Sequence, residues 1–329
     1  CVFDVIAIAV FGTFMVLSSS VLAMDKFIAL GTSSKHGVYY PVGAEICNLL
    51  NENRDQHLVR CLAYETGGSI YNIQALRSGE LDVAITRTDL AYQAARGQGI
   101  FKDVGPMPDL RIISSLYDNL LGVIVKADSS VTVIEDLLGL RINIGNTGSG
   151  KRQFSDFLFK VMKWKASDFQ EISELSTSKM GKAFCNDETD ALIQVMGIPA
   201  SFYDKMINEC GGRFVAISDD MFTRLKNRAP FIDKTIIPGG MYSSNPDDVK
   251  TIGSKTVLIT MARVHEDSIQ ELTSAIFDNL ERIKGEQPAM AGASVDSMVR
   301  EGIFVPFHRG TISYLKEQNI DFKKASQGQ

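Results

Sequence analysis

The chain has 329 residues, of which 45% are hydrophobic and 22% charged, and its formal net charge is −5. That length is too great for one compact core and suits two units of ordinary domain size. The composition is that of a globular protein, and the negative balance without a basic block speaks against nucleic acid as the main partner.

Residues 1–23 read as an export signal. The run from Val5 to Leu22 is apolar and uncharged, and Val21-Leu22-Ala23 closes it with a small-residue cleavage pattern before Met24-Asp25-Lys26. The competing reading is an uncleaved anchor, for which the run is borderline against a bilayer core of roughly 30 Å. Export permits disulfides among Cys47, Cys61, Cys185 and Cys210. Four cysteines allow three connectivities. Cys47, inside the apolar helical run Ile46 to Leu50, suits a small buried hydrophobe. There is no Cys-x-x-Cys pair and the four histidines are scattered, so neither a metal nor another cofactor is expected.

After the signal, Lys26 to Leu30 is a short strand followed by a Gly/Ser loop. A helix opens at Tyr40-Pro41, with Val42, Ile46, Leu49 and Leu50 at helical spacing. Val59 to Ala63 is a second strand, and the loop 65–68 leads to Ser69 as the cap of a helix ending at Arg77. Val83 to Ile85 is a third strand, after which Asp89 caps the next helix. The pattern restarts with strands at 121–125 and 140–144, a glycine-rich loop and a helix from Lys151 to Lys163. Strands at 191–196, 214–217 and 257–261 and a long helix at 265–284 follow. The expected fold is α/β with two lobes in the manner of a Venus flytrap. Each lobe is a mainly parallel sheet flanked by helices, and extended segments near 111–127 and 250–262 join them. The expected division is 24–119 with 258–329 in lobe 1 and 120–257 in lobe 2.

Ligands of open parallel sheets bind beyond the carboxyl ends of the strands. The loops 31–40, 65–69, 86–89 and 145–151 stand there, and each opens a helix whose free N–H groups suit an anion. Gly145 to Lys151 fits G-x-x-x-x-G-K, but Arg152 replaces the Ser or Thr that would hold a magnesium ion, so a nucleotide-binding loop is a decoy. Arg87 and Lys151 are the cationic candidates, set against ordinary solvated charges. Tyr39 and Tyr40 supply one core aromatic and one cleft wall. Asp89 is a cap or an amino-group contact, and Ser69 and Ser149 are either caps alone or caps whose hydroxyls also reach the ligand. Ser69 lacks a nucleophile-elbow pattern, which weakens a hydrolase reading.

Six segments in order resemble the TAXI-type receptors of TRAP transporters. They are Gly31-Thr32-Ser33 with Gly37 to Gly43; Thr66 to Ser69 with Asn72, Leu76, Gly79, Glu80 and Asp82; Thr88 to Ala94 with Gly97; Asn146 to Gly150; Ile237 to Tyr242; and Pro306 to Tyr314. The resemblance covers nearly all of the chain after the signal. It implies a monomeric periplasmic receptor that binds without catalysis and serves TRAP membrane permease subunits, with glutamate-like amino acids or related carboxylates as solutes. It adds Thr32, Ser33, Thr66, Asn72, Thr147, Gly148 and Gly150 to the ligand site. His36 and Val38 stand where the family usually has Gly and Thr, Arg87 where Gln is common, and Lys151 where Thr is common. Two added cations favour a more acidic, dicarboxylate solute. The alternatives are an NTPase or hydrolase, and a surface interaction protein that keeps the fold without a ligand.

Overall fold

A computed structural model describes residues 26–229 and 231–322. The expected signal at 1–23 lies outside them. Ten strands form one continuous sheet: β1 (Lys26–Gly31), β2 (Val59–Tyr64), β3 (Val83–Arg87), β4 (Leu110–Lys126), β5 (Arg141–Asn143), β6 (Glu171–Ser173), β7 (Ala191–Gly197), β8 (Gly212–Val215), β9 (Asp233–Ile237) and β10 (Val249–Met261). Eight helices have eight residues or more among the described residues: α1 (Tyr39–Glu52), α2 (Ser69–Ser78), α3 (Thr88–Arg96), α4 (Gly150–Met162), α5 (Thr177–Cys185), α6 (Asp219–Lys226), α7 (Glu266–Phe277) and α8 (Arg309–Glu317).

The strand order is β2-β1-β3-β10-β4-β7-β5-β6, with β8 on β4 and β9 on β10. At one end β2, β1 and β3 run parallel. At the other, β7, β5 and β6 run parallel. The long antiparallel strands β4 and β10 pair with each other in the middle and serve both ends. β4 is buried along nearly its whole length, as a strand covered on both faces must be, and the apolar run Leu120 to Val125 reflects that in its second half. The fold is therefore α/β with two parallel units joined through two shared strands. The expected boundaries at 119/120 and 257/258 fall inside β4 and β10.

One apolar core packs α1, α2, α7 and α8 against the first unit and continues over one face of the second. A separate core, including Leu121, Ile142, Leu158, Met221 and Ile252, lies on the second unit's other face beneath α4 and α6. Two disulfides resolve the open connectivity: Cys47 on α1 with Cys61 on β2, and Cys185 at the end of α5 with Cys210. Cys47 is buried, but as half of a bridge. The expected long helix at 265–284 breaks after α7, and a second helix starts at Leu280.

Candidate ligand-binding cleft

Four helices begin on one small cleft between the two units. The first residues of α1 (Tyr39), α2 (Ser69), α4 (Gly150) and α5 (Thr177) all line it. Each helix end presents N–H groups and roughly half a positive charge. At α1, α2 and α5 no side chain caps those N–H groups. At α4 Ser149 does, accepting from Arg152 N at 3.2 Å. The cleft has a volume of about 110 Å³.

The two units meet closely here because residue 150 is glycine. A Cβ on it would stand 3.0 Å from Ser69 Oγ and 3.2 Å from Ser69 Cβ. Ser69 follows the N-cap residue, Gly68, and its hydroxyl does not cap α2. It pairs with Tyr39 Oη at 3.2 Å, and Asn119 Nδ2 donates to the same oxygen at 3.1 Å. Burial pushes the Tyr39 phenol above its ordinary pKa, against the lowering pull of the Ser69 hydrogen bond.

Lys151 is the cleft's unneutralised cation. Its Nζ donates to Thr177 Oγ1 at 2.6 Å, and Gln194 Nε2 donates to the same hydroxyl at 3.2 Å. Its stem lies over Gly145, where a Cβ would come within 2.6 Å of Lys151 Cγ, and Gly145 has φ +89°. Burial lowers the ammonium pKa to about 7, with no opposing carboxylate. Of the two sequence readings of Lys151, the solvated surface charge does not hold: it is only 9% exposed.

Arg87 also borders the cleft, but four of its five N–H donors are committed. Nε and Nη2 hold Asp89 at 2.9 and 2.5 Å, Nη1 donates to the Gly150 carbonyl at 2.6 Å, and Nη2 donates to Gln153 at 2.9 Å. Asp89 is therefore not the cap of α3; the N-cap position is Arg87 itself, and the carboxylate turns to its guanidinium. Arg87 ties the first unit to α4 of the second.

Ser33, Tyr39, Thr66, Ser69, Arg87, Ser149, Gly150 and Lys151 line the cleft as expected positions. Thr32 and Asn72 do not. Both are fully buried behind it: Asn72 Nδ2 donates to Thr32 O and Ile85 O, and Asn72 Oδ1 accepts from Thr66 Oγ1. They pin the loops in place. Tyr40 also lies outside the lining, with Lys35 over its ring at 5.6 Å, so the cleft-wall tyrosine is the buried Tyr39. Asp89, Thr147 and Gly148 face a second, larger cavity of about 800 Å³ on the other side of Arg87, Ser149 and Val195. Aromatic and aliphatic side chains such as Tyr92, Phe154, Phe231 and Ile252 dominate its walls. Its lining also carries the ion pairs Arg87–Asp89 and Arg152–Asp156, together with Lys160 and Arg228. Thr177 and Gln194 were not foreseen as cleft residues. Ser176-Thr177 before an apolar helical run, and a glutamine inside an apolar strand, are the signals that mark them.

Arg152, in the place of a magnesium-holding hydroxyl, is paired with Asp156 at 2.8 Å and Glu174 at 2.6 Å. No histidine lines either cavity. His308 is buried at the start of α8, where Nδ1 accepts from Gly310 N.

The model of the NMT1-like family matches residues 30–318. The chain belongs to the NMT1-like family. Among solved structures, this NMT1-like chain is similar to the periplasmic binding protein BugD, with 9% identity over 90% of this chain and 94% of that one and a TM-score of 0.55. It is similar to MatC from Rhodopseudomonas palustris with bound malate, with 11% identity, 90% and 96% coverage and a TM-score of 0.54. It is also similar to a putative L-cystine ABC transporter from Listeria monocytogenes, with 11% identity, 82% and 97% coverage and a TM-score of 0.51. At these identities the likeness establishes the fold, that of periplasmic binding proteins. No helix among the described residues is long and apolar enough to cross a membrane.

Proposed function

We propose that this NMT1-like protein is an exported, monomeric solute receptor. It captures a small carboxylate between its two lobes and hands it to an ion-gradient-driven membrane transporter of the TRAP type. The observation that carries this reading is the convergence of four helix N-termini and the Lys151 side chain on one cleft. Such a site offers N–H donors and positive potential, which suits carboxylate, and no group arranged for turnover. The lobes are 24–119 with 258–329, and 120–257. The motif resemblance supports the TRAP partner, and MatC, on the same fold, is described with bound malate. A ligand-free interaction protein would have a filled cleft, whereas about 110 Å³ is open here.

The test is a thermal-shift screen of small mono- and dicarboxylates on protein refolded from denaturant, which removes carried-over solute. A ligand that binds only the native state raises the melting temperature with concentration. No shift across the panel at millimolar concentration defeats the reading.

A further inference from the structure

We infer that the cleft selects dicarboxylates that carry no ammonium group, with Lys151 Nζ as the counter-ion of one carboxylate. This rests on the carboxylate-receptor reading and narrows its solute class.

The argument begins with what the cleft lacks. Its ionisable lining residues are Tyr39, Arg87 and Lys151, and no Asp or Glu is among the residues that line it. Three carboxylates stand beside the lining without forming part of it, and each is engaged: Glu65, next to Thr66, accepts from Lys35 N at 3.2 Å. Asp89 takes two bonds from Arg87 and faces the larger cavity. Glu174 accepts from Thr147 at 3.0 Å and pairs with Arg152 at 2.6 Å. A helix N-terminus offers hydrogen-bond donors, and an ammonium is itself only a donor. An amino acid placed here would face four positive helix ends and an ammonium, with no anion for its own. Leaving a buried charged group unpaired is costly. The carboxylates of the same molecule meet the opposite situation.

Lys151 makes the complementary point. Its Nζ meets Thr177 of α5, whose hydroxyl also accepts from Gln194 of β7, and its stem lies on the loop at Gly145. None is anionic, and Tyr39 and Arg87 are the other titratable groups on the same space. In the empty cleft burial is the cause that lowers its pKa, to about 7. A bound carboxylate supplies the missing counter-charge and restores the charged form. At pH 8 anion capture therefore takes up about one proton, and at pH 6 almost none. Affinity is highest below pH 7 and declines by about tenfold per unit above it until the bound-state pKa is reached.

Succinate, malate and aspartate test this, because they share a carbon skeleton and differ at one position in hydrogen, hydroxyl or ammonium. Titration calorimetry on the refolded full chain is run at pH 8 in HEPES and in Tris, whose ionisation enthalpies differ, and repeated at pH 6. The expected result is binding of succinate or malate at least about tenfold tighter than aspartate. Uptake of about one proton at pH 8 is expected with it. Lys151→Met is expected to lose affinity by about a hundredfold and the proton uptake with it. Because that variant also alters packing, the lysine side-chain carbon resonances of the unsubstituted empty protein are titrated by NMR, with Lys151→Gln used for assignment. A midpoint near 7 supports the inference, and a midpoint near 10 overturns it. Aspartate binding as tightly as malate, or diacid binding with no proton uptake at pH 8, overturns the inference and leaves the receptor reading standing. Failure of all three acids to bind overturns the inference, and the receptor reading then stands or falls with the wider thermal-shift panel.

Discussion

Arg87 Nη1 donates to the carbonyl oxygen of Gly150 at 2.6 Å, so the last residue of β3 is bonded to the first residue of α4 in the other unit. Asp89 neutralises the same guanidinium from below. Arg87 therefore acts as a strut between units more than as a ligand arm. Removing it leaves the Asp89 carboxylate without its partner. Arg87→Ala is expected to destabilise the protein by about 3–5 kcal/mol, the usual cost of breaking a buried pair on one side. Arg87→Gln with Asp89→Asn removes both charges and is expected to cost less than Arg87→Ala alone. Urea denaturation at pH 7 measures both. A loss below about 1 kcal/mol for Arg87→Ala would show that the pair is solvated.

Gly150 and Ser69 define how near the units come. Gly150→Ala improves intrinsic helix propensity but pushes its Cβ against Ser69 Oγ and Cβ at 3.0 and 3.2 Å. The neighbour must yield by a few tenths of an ångström, and Ser69 is held by Tyr39. The variant is expected to weaken ligand binding by about tenfold through overpacking of the cleft rim. Gly150→Ala with Ser69→Gly is expected to recover part of that loss. Calorimetry with the tightest-binding acid decides it, and an unchanged affinity for the single variant would mean that the rim adjusts freely.

The alternation of apolar runs with glycine-rich polar loops made the strand-loop-helix order readable before any coordinates. β1, α1, β2, α2, α4 and β7 start within a residue or so of where periodicity puts them. Ser149 as the cap of α4 was readable too, because capping is a local interaction across three residues. What stayed hidden depends on residues far apart in the chain. Asp89 has the composition of a cap, but a buried guanidinium two residues away competes for it more strongly than the helix N–H groups do. Thr32 and Asn72 carry the look of ligand contacts, yet their polar atoms satisfy buried carbonyls of loops and strand ends. The burial of Lys151 follows from its meeting with Thr177 and Gln194, which local pattern does not report.

The disulfide pairing was open in the sequence and is specific in the fold. Cys47–Cys61 closes a separation of 14 residues between α1 and β2, and Cys185–Cys210 one of 25 between α5 and the turn before β8. Chain-entropy reasoning gives about 3 kcal/mol for loops of this length. Replacing either pair by alanine is expected to lower the unfolding free energy by about that amount, read from urea midpoints at constant slope. Thiol titration of the unfolded, unreduced protein is expected to find none of these four cysteines free. Reactive thiols on all four would contradict the pairing.

Lys151 links stability to pH in the same direction as a carboxylate whose pKa folding lowers, but over the alkaline range. Its pKa is ordinarily near 10.5 and is about 7 in the fold. Between those values the unfolded chain holds a proton that the native state does not, so this group makes native stability rise with pH. Below pH 7 both states are charged and the whole penalty for burying the ammonium is felt. Lys151→Met is therefore expected to stabilise the empty protein at pH 6, by an amount on the order of a few kcal/mol. The gain is expected to shrink steadily toward pH 10. Urea unfolding of both proteins across pH 6 to 10 reads the difference directly. Adding a bound diacid should flatten the wild-type contribution, since the ligand supplies the counter-charge that burial withholds. Parallel curves for wild type and variant would mean that water already reaches Nζ, and the coupling between proton and solute would then be absent as well.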